Sequence, residues 1–230
     1  MGQDYAVLDL CYSWEGEEQH LHPVVLLGRK DVVLVDCGYP GSLAQLEEQL
    51  ARHGLDPAAL TTLVLTHQDD DHMGSAAALK AKYPQIQIAA SPLEAPYLSG
   101  AQKNLRLRQA EELQAALPPE QQAWGEAFCA RLRAVSPVAV DLFLRPGDTF
   151  DWAGGCTVVA TPGHTPGHLS LHLTAHDLMI TGDAAVWENG GLVVANPQFC
   201  LDLPAAEASL ARLKACRCRD YLCYHGGFGR

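Results

Sequence analysis

Thr61-Thr62-Leu63-Val64-Leu65-Thr66-His67-Gln68-Asp69-Asp70-Asp71-His72-Met73-Gly74 decides how this chain is read. The segment opens as an apolar, β-branched run of strand type. It then places two imidazoles and three carboxylates within residues 67–72. Unpaired charges of that density cannot enter a core. Side by side in solvent, the carboxylates repel one another. A bound cation resolves both problems. The plain alternative is a solvated acidic turn, and what weighs against it is the supply of matching donors elsewhere in the chain.

The chain has 230 residues, of which 48% are hydrophobic and 19% charged, a soluble, globular balance. A single domain over 1–230 is expected. No apolar run is long enough to span a membrane. Met1-Gly2-Gln3-Asp4-Tyr5-Ala6 has neither a basic region before an apolar stretch nor the hydroxyl residue of a myristoylation signal. A cytoplasmic protein is expected. Net charge is −11 and no basic stripe is visible, which argues against a nucleic-acid partner. The eight cysteines lack framework spacing and read as free thiols. Cys216-x-Cys218 with Cys223 resembles a metal knuckle but has no second ligand pair at zinc-site spacing.

Residues 5–10 and 24–27 read as strands joined by a polar connection over 14–20, and 32–36 as a buried third strand ending at Asp36-Cys37-Gly38. Ser42 with Gln45 spells a capping box for a helix whose face is Leu43, Leu46 and Leu50, and Gly54 stops it. The strand over 62–65 delivers the charged cluster at its carboxyl end, where α/β folds usually site chemistry. A helix over 74–83 and a strand over 86–90 follow. Residues 92–136 break the alternation with two strongly helical segments separated by Pro118-Pro119, an insertion beside the site. Within it, Tyr97 and Arg106 are the candidates to bind substrate, with Arg108 and Trp124 behind them. Strands return at 149–152, 156–160, 169–173 and 178–181, joined by Gly154-Gly155 and His176-Asp177. A helix over 202–215 and a strand over 221–224 close the pattern.

Three more loops carry donors, each just past a predicted strand. Thr161-Pro162-Gly163-His164-Thr165-Pro166-Gly167-His168 is fixed by turn residues, so an imidazole there can be aimed at little entropic cost. Thr181-Gly182-Asp183 offers a carboxylate. Tyr224-His225-Gly226-Gly227 offers a last imidazole.

With these residues the sequence resembles the metallo-β-lactamase fold superfamily over nearly its whole length. The family's H-x-H-x-D-H motif is matched by His67, Asp71 and His72, with Asp69 standing where the second histidine belongs. His164 lies in the form typical of glyoxalase II and its relatives. Asp183 and His225 match the bridging carboxylate and the terminal ligand. The insertion is similar to the helical lids of lactonase-type members. The resemblance implies an α/β fold, an αββα sandwich with a helical insertion at about 92–136, and a dinuclear centre in an edge cleft. His67, Asp69 and His164 would hold the first metal, and Asp71, His72 and His225 the second. Asp183 would bridge them, and His168 would support rather than ligate. Zinc is the expected cation, with iron or manganese as alternatives.

The implied activity is a metal-dependent hydrolase. A metal-bridging hydroxide would attack an ester, lactone or thioester carbonyl of a small-molecule acyl substrate, with Asp71 as the catalytic group orienting it. Two other readings share the motif: an iron-dependent redox enzyme of the sulfur dioxygenase type, and a metal-binding protein without activity. Asp69 adds a negative charge that the usual imidazole would not. On sequence alone this shifts preference from zinc toward manganese or iron. It also predicts a zinc-favouring Asp69→His variant. Oligomeric state is not legible in the sequence.

Overall fold

The computed structural model describes residues 4–14 and 16–229. Met1 to Gln3 of the N-terminal segment, and Glu15, lie outside the described residues. Among the described residues, two six-stranded sheets pack face to face. The first runs β1 (Tyr5–Val7), β4 (Val24–Leu27), β5 (Val32–Val35), β6 (Thr62–Leu65), β7 (Gln87–Ala90), β8 (Leu142–Phe143). It is antiparallel up to β5 and parallel from β5 onward. The second runs β16 (Gly227–Gly229), β15 (Asp220–Cys223), β12 (Leu178–Gly182), β11 (Leu169–Leu173), β10 (Cys156–Ala160), β9 (Thr149–Phe150). Its one parallel pair is β12 with β15. Two hairpins stand apart, β2 (Leu10–Trp14) with β3 (Glu17–Leu21) and β13 (Val186–Glu188) with β14 (Gly191–Val193).

The period-two alternation of strands sorts side chains between layers. Val33, Val35 and Val64 point between the sheets, against Val158, Leu171 and Ile180. Leu34, Leu63 and Leu65 point the other way, onto Leu46 and Leu50 of α1 (Leu43–Arg52) and Leu79 of α3 (Ala76–Lys82). Each such fully buried leucine contributes about 1.5–3 kcal/mol. On the far side, Met179 and Tyr221 pack with Leu213 of α7 (Leu203–Cys216). The layers are therefore helix, sheet, sheet, helix, as the sequence implies.

Several local expectations are corrected. Residues 14–20 are not a plain connection: Leu10 to Trp14 pairs in register with Glu17 to Leu21. The capping box does not form. Ser42 is itself helical in backbone, and its hydroxyl donates to the Tyr39 carbonyl at 2.7 Å, while Gln45 reaches the Cys11 carbonyl. The helix predicted from Gly74 starts earlier and breaks, as α2 (Asp70–Met73) followed by α3. At Gly74 a Cβ would lie 2.3 Å from both the Asp70 carbonyl oxygen and the Pro40 nitrogen, so only glycine lets the 38–40 turn close over α2. Trp152 leaves its predicted strand, buries its ring, and stacks on Phe150. The insertion is helical as expected, with α4 (Ala95–Leu98), α5 (Leu105–Ala116) and α6 (Gln122–Arg133). Ala110, Cys129 and Leu132 give it a small core of its own. No helix among the described residues is long and apolar enough to cross a membrane.

Candidate metal centre

Five strand ends meet at one edge of the sandwich. Parallel pairing makes β5 and β6 deliver Asp36 and residues 66–72 on the same side. The parallel β12 and β15 deliver Asp183 and His225 there from the other sheet. The β10–β11 turn carries His164. A backbone bond from the Leu169 N–H to the Thr66 carbonyl, 3.1 Å, ties the two sheets at this edge. Gly163, at φ +138°, lets the turn press on α7, where a Cβ would lie 2.1 Å from the Ala206 nitrogen.

The seven expected residues converge. His164 Nε2 lies 3.0 Å from Asp69 Oδ2 and 3.6 Å from Asp183 Oδ2, and His67 Nε2 is 3.6 Å from Asp69 Oδ2. His72 Nε2 is 3.2 Å from Asp183 Oδ1 and 3.8 Å from Asp71 Oδ2. His225 Nε2 is 3.1 Å from Asp71 Oδ2 and 3.4 Å from Asp183 Oδ2. Asp183 thus touches both halves of the cluster. His225 is the most open imidazole, at 28% exposure.

Hydrogen bonds fix which ring nitrogen faces inward. Asp36, buried and at φ +60°, accepts from the Thr66 N–H at 2.9 Å and the Thr66 hydroxyl at 2.8 Å. Its Oδ2 also accepts from His72 Nδ1 at 2.8 Å. Thr66 has spent its one proton on Asp36, so its oxygen accepts from His67 Nδ1 at 3.0 Å. Both rings therefore carry hydrogen at Nδ1 and turn Nε2 to the cluster. The sequence marked Asp36 only as the start of a turn. Three donors converge on its two oxygens, and an amide would offer one acceptor and a clashing N–H. Asp36→Asn is therefore expected to weaken divalent metal binding about 10–100-fold. Titration of the metal-stripped variant with zinc checks this, and native affinity would show the bond to be dispensable.

His168 has both ring nitrogens engaged within the protein. Its Nε2 accepts from the Asp183 N–H at 2.9 Å, which places its own proton on Nδ1, directed at Thr161 Oγ1, 2.9 Å away. Burial and the neighbouring His67 hold it neutral, well below the usual imidazole range.

Opposed charges dominate the electrostatics. Burial works to raise Asp69, Asp71 and Asp183, but their cationic neighbours outweigh it and hold all three below the usual carboxylate range. Burial works to lower His72, His164 and His225, but the carboxylates outweigh it. His164 is pushed up to about 9 and His225 to about 10. Protons on these rings hold the metal-free cluster together.

The insertion is fastened to the same loop. The Gln68 side chain accepts from the Leu105 N–H at 2.8 Å and donates to Glu94 at 3.0 Å. Arg106, 4% exposed, donates from Nε and Nη2 to Asp69 Oδ2 at 2.9 and 2.7 Å. Arg131 Nε lies 3.0 Å from Asp70 Oδ2. Burial and Asp71 nevertheless push the Asp70 carboxyl up to about 7. Buried Glu94 also accepts from the Gly167 N–H at 2.7 Å, tying α4 to the His164 loop. Gln68, Glu94 and Arg131 carried no signal in the sequence beyond their residue types. Tyr97 lines a cavity of about 190 Å³ between the insertion helices and Met73. Arg108 is exposed, and Trp124 is 57% exposed over Phe128.

The donor set fits divalent cations. His67 Nε2, His72 Nε2, Asp69 Oδ1 and Asp183 Oδ1 are buried without a hydrogen-bond partner, a costly state unless an ion completes them. Nitrogen and oxygen ligands sit about 2.0–2.2 Å from zinc, which puts tetrahedral neighbours about 3.3 Å apart. The separations of 3.0–3.8 Å above bracket that value. The donor atoms of His67, Asp69 and His164 form one compact group, and those of Asp71, His72 and His225 another. A separate trio, His172, Asp177 and Cys218, gathers at the opposite ends of β11 and β12.

Comparison with known proteins agrees with this architecture. A family model described as the metallo-beta-lactamase superfamily matches residues 20–223. The uncharacterized protein YobT of Bacillus subtilis (strain 168) is 26% identical over 178 residues, which is 76% of this chain and 66% of that protein. The chain therefore spans just under two thirds of that relative's length. The metallo-beta-lactamase family protein TTHA1429 from Thermus thermophilus superposes with a TM-score of 0.71 at 23% identity, covering 98% of this chain and 74% of that one. BJP-1, a subclass B3 metallo-beta-lactamase of Bradyrhizobium japonicum, superposes at 0.64 with 22% identity, covering 89% and 71%. At these identities the likeness is one of fold.

Proposed function

We propose that this chain, which belongs to the metallo-beta-lactamase superfamily, is a metal-dependent hydrolase acting on ester, lactone or thioester carbonyls of small acyl compounds. The observation that carries the reading is the convergence of four imidazoles and three carboxylates, with buried donor atoms of His67, Asp69, His72 and Asp183 that have no hydrogen-bond partner. His67, Asp69 and His164 would hold a first cation and Asp71, His72 and His225 a second, with Asp183, which touches both groups, shared between them. When bound, such a pair supplies a water acidified toward neutral pH and a Lewis acid for a carbonyl oxygen.

The chain's own residues do the rest. Asp36 and Thr66 keep the protons of His72 and His67 on Nδ1, so that Nε2 stays available. Asp71, which reaches His225 from the solvent-accessible side of the cluster, is placed to orient a nucleophilic water and take its proton. The Pro- and Gly-fixed 161–168 loop aims His164 before any ion arrives. No Ser or Cys nucleophile is required.

Metal analysis of protein purified without chelator, followed by a screen of lactones, thioesters and β-lactams, tests the reading. Two zinc-type ions per chain and turnover of a lactone or thioester, abolished by chelation and restored by metal, are expected. A metal-replete protein inert toward all three classes would overturn it. Oxygen uptake by an iron-loaded sample would favour the redox reading instead.

A further inference from the structure

The geometry points to Asp69 and Arg106 acting as one neutral donor, a carboxylate–guanidinium pair standing where an imidazole would serve. This inference rests on the metal centre proposed above and assigns Arg106 to it as a positioning residue. Sequence had suggested Arg106 as a substrate contact. Its donors are already committed. Nε and Nη2 go to Asp69 Oδ2, and Nη1 goes to the Phe199 carbonyl at 2.6 Å and to Gln109. The remaining Nη2 hydrogen is directed at His164 Nε2, 3.1 Å away. Of its five N–H groups, four are therefore committed whatever His164 binds, which leaves Arg106 held in place and not free to reach out to a substrate. Its plane also lies 5.2 Å from the Phe199 ring centroid, which holds it from another segment.

Arg106 flanks the first metal position and does not fill it. His67 Nε2 has no hydrogen-bond partner, so the guanidinium stops short of it. Formal charges then decide its role. Two divalent cations with Asp71 and Asp183 sum to two positive charges, as in a site whose remaining ligands are all imidazoles. Asp69 lowers that sum by one, and Arg106 restores it. Both side chains are buried, where screening by salt is weak. Two N–H groups on Oδ2 also draw charge from the carboxylate as a whole, which brings it nearer to an imidazole in donor strength. Paired in this way, Asp69 should give the zinc preference of an all-imidazole site and not the shift toward manganese or iron expected of a bare carboxylate.

A cycle of variants tests the pair, read as zinc affinity by competition with a chromophoric chelator and as thermal unfolding of the metal-free chain. Asp69→His strands a buried cation beside the metals, and zinc should bind about tenfold more weakly, or worse. Arg106→Leu in the native background removes a nearby positive charge, and zinc should bind at least about threefold tighter. Combining the two should return the affinity to within about threefold of native, a coupling that independent roles would not give. Unfolding of the metal-free protein should show the same recovery for the double variant over Asp69→His. Were Arg106 only a brace for the insertion, its loss would weaken zinc binding equally in both backgrounds, and that result, or a double variant no better than Asp69→His, overturns the pair. If the Asp69→His chains do not fold, Arg106→Lys against Arg106→Leu decides: a native-like affinity for Lys and a tighter one for Leu support the pair, and equal weakening removes it. A native chain that binds no zinc would instead defeat the metal-centre reading, while the unfolding series still judges the pair.

Discussion

On the proposed function, Asp183→Asn should leave less than one divalent ion per chain and slow hydrolysis about a thousandfold or more, a loss of at least ~4 kcal/mol of transition-state stabilisation. Among the described residues, Asp183 is the one carboxylate within 3.6 Å of three imidazoles, His72, His225 and His164. An amide keeps the shape but removes the charge between the two donor groups. It also turns an N–H toward rings or ions that need an acceptor. The backbone need not move, because the residue's own N–H is held by His168. A native circular dichroism spectrum with metal content near zero to one is therefore the expected pairing. Two ions per chain with native turnover would show that Asp183 does not connect the halves.

Stripped of metal, the protein should lose stability as pH rises from about 7.5 to 10. An imidazole titrates near 6.5 in an unfolded chain. His164 is pushed up to about 9 and His225 to about 10 in the fold. Each binds its proton more tightly folded than unfolded. The resulting stabilisation is complete below about pH 6.5 and disappears as pH passes the folded values; for buried His164 it is roughly 3 kcal/mol. Other groups titrate elsewhere. Asp69, Asp71 and Asp183 are held low and matter only in acid. Asp70, raised to about 7, has lost its contribution by pH 7.5. The buried thiol of Cys156, pushed up to about 12, adds to the loss only above about pH 8.5, where an unfolded cysteine ionises. The slope between pH 7.5 and 8.5 thus belongs to the imidazoles. Thermal unfolding in excess chelator measures it. Because an ion must displace these protons, metal binding also releases protons and tightens with pH over the same range. Calorimetry in two buffers of different ionisation enthalpy reads that release. A flat stability profile together with no proton release would place the protons elsewhere.

What the sequence made legible follows from periodicity and from strand ends. Val32 to Val35 and Thr62 to Leu65 are short apolar runs that stop at charged residues, so both the buried strands and the edge where chemistry collects could be read. His67, Asp71, His72, His164, Asp183 and His225 sit in such positions and do converge. What could not be read depends on partners distant in the chain. Asp36 looks like the first residue of a turn until Thr66 and His72, 30 and 36 residues away, close on it. Arg106 sits on a helix of weak amphipathicity, and nothing local says that it turns inward. Its pairing with Asp69 spans 37 residues. The β2–β3 hairpin escaped notice because Glu17 to His20 is exposed and polar, so its pairing is made by backbone bonds that leave no hydrophobic signature.

Gln68, Asp69 and Asp70 are consecutive, and each is held by the insertion: by the start of α5, by Arg106 and by Arg131. The consequence is epistatic. A carboxylate introduced at this position of an imidazole-bearing ancestor, without the arginine, would leave the site one charge short. The arginine introduced first would face two cations unpaired. The helices and the ligand loop are therefore a single inheritable cassette. A chimera that joins the arginine-bearing helices to an imidazole-bearing loop should load zinc poorly even when both parents fold, whereas transplanting both together should carry the ligand choice with them.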